Sequence, residues 1–140
     1  MAGAGRGRKP DLVAIEGGLS RSLPPPDWMG EAAQAEWLRV MPDLARRKVL
    51  SRADLGSLEN YCIAIGQVRD CQRAIDEDGQ FVKSDRSAPR PHPGFRVMHA
   101  AMTNARQLAG ELGLTPVARQ RAGVKEDDGG SDEWDGLVKG

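Results

Sequence analysis

Between Ser51 and Gly79 the chain reads SRADLGSLENYCIAIGQVRDCQRAIDEDG, a stretch that holds none of its nine prolines. Leu55, Leu58, Cys62, Ile65, Val68 and Ile75 recur along it at helical spacing, so it predicts one long amphipathic helix. Its ends are written in local chemistry. Ser51 is a natural N-cap with Asp54 three residues on, an acidic version of the capping box, and Gly79 is a natural stop. An apolar stripe of that length needs cover, and the cover lies upstream. Residues 30–50, GEAAQAEWLRVMPDLARRKVL, repeat the period through Ala33, Trp37, Val40 or Met41, and Leu44. Glu31 and Glu36 lie early and Arg46, Arg47 and Lys48 late, the order the helix dipole favours. Pro42 removes a backbone donor and crowds the carbonyl of Leu38, which predicts a kink instead of an end. The two helices are expected to form an antiparallel hairpin across the short turn around Leu50. Gly56 and Gly66 each cost ~1 kcal/mol inside a helix relative to alanine, so they imply a close approach of another helix, within one subunit or between subunits.

Downstream the helical period fails. QFVK is a short strand candidate, SDRS is turn chemistry, and the proline-bracketed APRPHP can return only as an edge strand, so a small irregular β-hairpin is expected. GFRVMHAAMTNARQLAGELG restores the helical period through Phe95, Met98, Met102, Ala105, Leu108 or Ala109, and Leu112, with Gly113 as its stop. Thr115 then serves as N-cap and Pro116 as first residue of a short basic turn carrying Arg119 and Arg121. The expected class is mainly α: a helical hairpin plus a third long helix, with the β-hairpin between the second and third.

Three segments differ in charge although the total is zero. Residues 1–26 carry +2, residues 27–122 carry +2, and residues 123–140 carry −4. They read as a flexible basic arm ending in the proline spacer LPPPDW, a helical oligomerisation domain, and a disordered acidic tail. Opposite signs at the two ends suggest two partners. With aromatic residues at only 4% the core is modest, so help from neighbouring subunits is expected. No apolar run reaches even ten residues, so neither a secretory signal nor a membrane span is expected and the setting should be cytoplasmic. Cys62 and Cys71 are too far apart on one helix to bond and read as small buried or half-buried hydrophobes.

Enzyme chemistry finds no foothold. The chain has no phosphate loop of the G-x-x-x-x-G-K-[ST] type, no G-x-S-x-G elbow and no H-E-x-x-H. His92 and His99 have no cluster of metal-ligating residues at metal spacing beside them, and the acidic run Asp76, Glu77, Asp78 is a solvated helix end. His92 reads as part of a turn and His99 as a helix-surface residue. No cofactor is expected. What remains is binding. Arg6, Arg8 and Lys9, in the glycine-rich AGRGRKP, form a cationic hook, a composition that equally suits an ordinary soluble terminus. Arg46, Arg47, Lys48 and Arg52 flank the helix-to-helix turn and would gather into a phosphate-facing patch. The alternative is a monomeric or dimeric helix-turn-helix regulator reading DNA through the helix after Ser51, though Asp54, Glu59 and Asp70 on its exposed face make a poor DNA surface. Trp134, Leu137 and Val138, apolar residues within the acidic tail, have the pattern of a docking peptide for a protein partner.

Taken in order, several segments resemble the small subunit of the terminase of tailed double-stranded DNA phages. GRGRKP resembles that family's G-R-x-x-P arm, EAAQAEWLRVMPDL its A-x-x-x-W-x-x-x-x-P-x-L, and VLSRADLGSLENYC its L-[ST]-x-x-D-x-x-x-L-x-x-Y-C. PRPHPGFRVM is similar to its P-x-x-H-P and ELGLTPVARQR to its G-L-T-P-x-x-R. The acidic tail around Trp134 has no counterpart in that pattern. The resemblance implies a non-enzymatic protein that assembles into a ring and binds double-stranded viral DNA in the cytoplasm of an infected bacterium. It also implies regulation of a large subunit that carries the packaging ATPase and nuclease. Trp37, Pro42, Asp54, Leu58, Tyr61, His92, Pro93, Gly113, Leu114, Thr115, Pro116 and Arg119 fall on the family's positions, most of them in structural roles.

Overall fold

Trp37 is the centre from which the structure, a computed structural model describing residues 17–123, is most easily built. It lies on α1 (Glu31–Arg47), whose buried side is Ala33, Glu36, Trp37, Val40, Met41, Leu44 and Ala45. The helix runs through Pro42 to Arg47. Lys48 then takes a left-handed conformation (φ 51°) and reverses the chain. Ser51 opens the next element as expected: its N–H and its hydroxyl both donate to Asp54 Oδ2 at 2.8 Å, capping a 3-10 turn over Arg52–Asp54. That turn feeds α2 (Leu55–Asp78), which stops at Gly79 with φ 88°.

Leu58, Tyr61, Cys62 and Ala64 of α2 meet the buried side of α1 and Leu50 of the turn in one cluster. Each fully buried large apolar side chain there contributes about 1.5–3 kcal/mol. Gly66 explains part of the fit: a Cβ at that position would lie 3.0 Å from the Ala33 nitrogen and 3.1 Å from its Cβ, so the two helices touch backbone to backbone within one subunit. Gly56 has open space around it.

β1 (Phe81–Ser84) and β2 (Ser87–Pro91) form the expected hairpin, antiparallel with Phe81 opposite Pro91 and Val82 opposite Arg90, and irregular at Lys83. The chain returns along α2 as α3 (Gly94–Glu111). Met98, Ala101, Ala105 and Leu112 are its buried side, so the seam is one position away from the expected Met102, which is 44% exposed. Small alanines at 101 and 105 admit α2 more closely than methionine would. The last helix, α4 (Pro116–Gly123), is capped as expected by Thr115, whose Oγ1 accepts from the Ala118 N–H at 3.2 Å.

Two residues of the segment expected as arm and spacer touch the helical body. Leu19 and Leu23 lie against the core, the Leu19 N–H donates to the Leu50 carbonyl at 2.8 Å, and the Trp37 indole donates to the Leu23 carbonyl at 2.7 Å. A buried indole N–H needs an acceptor, and the proline-rich segment, which has no partner strand, supplies one.

Candidate nucleic-acid interface

The turn from α1 into α2 gathers cations, and the geometry sorts them. Arg46 is 75% exposed and reaches Asp43 Oδ1 at 2.6 Å. A surface pair of that kind is worth under ~1 kcal/mol, so Arg46 can exchange Asp43 for another anion at little cost. Lys48 and Arg52 are exposed and form no ion pair with another described residue. Arg47 turns the other way. Its side chain is only 14% exposed, its Nε lies 2.9 Å from Asp43 Oδ2, and its Nη2 donates to the Gly113 carbonyl at 2.9 Å. Helix C-termini leave carbonyls without intrahelical partners, and this guanidinium satisfies one just beyond α3 while tying it to α1. Of the four turn cations, Arg46, Lys48 and Arg52 thus face solvent and Arg47 braces the fold behind them. Burial disfavours the Asp43 charge, but the Arg46 hydrogen bond and the Arg47 and Arg46 charges outweigh it and hold its carboxyl below the usual range.

A second charged group lies inside. Glu36 is 0% exposed, and its carboxylate accepts from the Tyr61 hydroxyl at 2.7 Å, from Arg39 Nε and Arg69 Nη2 at 2.9 Å each, and from Arg39 Nη2. Burial alone would raise its pKa; the hydrogen bonds from Arg39 and Tyr61 and the Arg39 and Arg69 charges reverse that and leave it lowered. Burial first, and the hydrogen bond to Glu36 second, push the Tyr61 hydroxyl up to about 12. This node locks α1 to α2. Its signal in the sequence is positional, because Glu36 is three residues from Ala33 and four from Val40, on the apolar stripe itself.

His92 is buried and structural in geometry. Its Nδ1 accepts the Gly94 N–H at 2.8 Å, which leaves Nε2 to donate to Asp78 Oδ2 at 3.0 Å. The ring thereby clips the end of α2 to the start of α3 at the base of the β-hairpin, and its own backbone N–H donates to the Gln80 carbonyl at 2.8 Å. His99 is exposed on α3, 6.1 Å from Phe95 between ring centroids. Among the described residues no group of three His, Cys, Asp or Glu could hold a metal ion, and no helix is long and apolar enough to cross a membrane. Arg6, Arg8 and Lys9 of the arm, and Trp134, Leu137 and Val138 of the tail, lie outside the described residues.

Residues 33–129 match the family model for the phage terminase small subunit, more than two thirds of the chain. The chain belongs to the phage terminase small-subunit family. The match takes in nearly all of α1 and every later element of the terminase small subunit. It leaves residues 6–9 and 134–138 outside. Family membership supports a role in phage DNA packaging, and small subunits of this family are generally non-catalytic. No curated protein and no solved structure matches the chain.

Proposed function

We propose that this terminase small subunit is a non-enzymatic DNA-binding adaptor. It works as a ring of identical copies that regulates the large terminase subunit during genome packaging in the host cytoplasm. The family match across residues 33–129 carries the reading. In it, residues 1–26 are the DNA-binding arm, residues 27–122 the assembling body and residues 123–140 a tail that docks on the large subunit through Trp134, Leu137 and Val138. DNA phosphates are held by Arg6, Arg8 and Lys9 of the arm and by Arg46, Lys48 and Arg52 of the turn, with Arg47 bracing the turn. Lys48 supports this: a residue with a Cβ in the left-handed region costs about 1 kcal/mol or more, and here it sets a cation at the tip of a reversal. Exposed apolar side chains support assembly, with Leu38 on α1 and Val97 and Met102 on α3 left uncovered by the subunit itself.

One such subunit binds DNA weakly, but copies around a ring share one duplex at high effective concentration, raising avidity by ~10² or more. Native mass spectrometry of the full chain, with and without duplex DNA, is the test. A closed multimer larger than a dimer that takes up duplex is expected, whereas a monomer or dimer at working concentration would count against the ring. Removing residues 1–10 should weaken DNA binding and flatten its salt dependence, by about 0.9 log units for each phosphate no longer neutralised.

A further inference from the structure

Every residue of the β-hairpin except half-buried Val82 is exposed, so little in the subunit's own packing dictates what its strands carry. The strands carry Lys83 and Arg90 and the turn between them Asp85 and Arg86, and none of these forms an ion pair with another described residue. The register shifts between Val82 and Ser84, which places Lys83 in the irregularity. Such an irregularity re-aims a side chain, and Lys83 here lines the same concavity as Arg90, Ser84 and Ser87, a hollow of about 280 Å³ closed by Pro91 and Pro93. Two cationic residues and two serines therefore border one hollow, whose floor is largely apolar. The Ser84 Oγ accepts from the Arg86 N–H at 3.5 Å, which leaves its hydroxyl hydrogen to donate outward.

We propose that this hollow is a second DNA-contact site, in which Lys83, Arg90, Ser84 and Ser87 hold a backbone phosphate of duplex DNA. The donor set matches a phosphodiester: a point charge, a planar guanidinium fork and neutral hydroxyl donors. A two-stranded ribbon is also a shape that a DNA groove admits. A protein partner that adds a strand beside β2 is disfavoured, because Pro89 and Pro91 remove amide donors from that edge. Nearby acidic charge offsets the site only in part. Asp85 in the turn cancels one of the three hairpin cations, while Asp76, Glu77 and Asp78 lie before Gly79, which is about 13 Å of extended chain from Lys83 and beyond the ~8 Å screening length at physiological salt.

The inference rests on the DNA-binding reading above, and the experiment separates the two. Full-length wild type, K83Q/R90Q and the charge-retaining K83R/R90K are titrated with a fluorescent duplex of about 30 base pairs over a salt series, with subunit count followed by native mass spectrometry. K83Q/R90Q should bind at least about fivefold more weakly and lose about one to two units of salt slope, while K83R/R90K keeps the slope. Wild-type binding with an unchanged K83Q/R90Q overturns the hairpin site alone. So does unchanged affinity with a lowered subunit count, which would make the hairpin a protein contact. A wild-type chain that binds no duplex overturns the DNA-binding reading and this site with it. Folding is controlled by circular dichroism, and both side chains are exposed, outside the core.

Discussion

Replacing Glu36 by Gln keeps the shape of a side chain that is 0% exposed and removes its charge. The Tyr61 hydroxyl bond at 2.7 Å is buried at both ends, and weakening a hydrogen bond to a charged group costs about 1.5–3 kcal/mol. Arg39 and Arg69 are 63% and 44% exposed, so water screens them and each broken pair adds under ~1 kcal/mol. The Gln amide also turns a donor toward a guanidinium that has only donors. Together these come to about 3 kcal/mol, or a fall in melting temperature of roughly 10–20 °C for a domain of this size. The pH dependence follows from the direction of the shift. Because the folded-state pKa of Glu36 lies below its unfolded value, its contribution is complete above the ordinary carboxylate range and drains away as pH falls through the folded value. Thermal melts followed by circular dichroism at fixed protomer concentration should show the largest gap between wild type and Glu36→Gln near neutral pH, narrowing as pH falls below the ordinary carboxylate range. A variant melting within about 2 °C of wild type at neutral pH, or a gap that stays constant on acidification, would refute this reasoning.

Three further outcomes are expected. Gly66→Ala should lower the denaturant midpoint, because overpacking against Ala33 costs about 1–3 kcal/mol, while Gly56→Ala, with open space around it, should raise the midpoint through a gain in stability of up to ~1 kcal/mol; the reverse order would be incompatible with the helix contact described. His92→Ala should speed amide hydrogen exchange in β1 and β2 while leaving α1 protected, and equal protection in both proteins would remove His92 as the clip. Alkylation followed by mass spectrometry should label Cys71 first. Cys62 is 0% exposed and burial, reinforced by the Glu36 charge, pushes its thiol up to about 12, so early labelling of Cys62 would contradict the core assignment.

Much of the fold is legible because its signals are local. Ser51, Asp54, Gly79, Gly113 and Thr115 end or begin helices through contacts within four residues, and the loss of helical period after Gly79 announces the hairpin. What the sequence hides depends on residues far apart in it. Glu36 lies on the apolar stripe of α1, but of the groups that make its burial tolerable only Arg39 is on the same helix, and Tyr61 and Arg69 are brought alongside by α2. Arg47 is indistinguishable in sequence from Arg46, yet a carbonyl sixty-six residues away turns it inward. Gly66 is readable as a close approach, whereas which helix approaches is not. The cations of the hairpin escape notice in sequence because SDRS reads as a turn, and the irregularity at Lys83 that aligns it with Arg90 has no single-residue signature.

The bond from Leu19 to the Leu50 carbonyl fixes a mooring point. Leu50 belongs to the same reversal as Lys48 and Arg52, so the amino-terminal segment is tethered beside the turn cations. Nine residues lie between Lys9 and Leu19, so their Cα atoms are ten steps and no more than ~36 Å apart. That limit is close to the ~34 Å length of one helical turn of DNA. On the DNA-binding reading proposed above, the contour from Lys9 to Leu19 would bound how far along a duplex the arm and turn cations of one copy act together. On that reading, lengthening or shortening this stretch would change the spacing a subunit serves without touching a single charge.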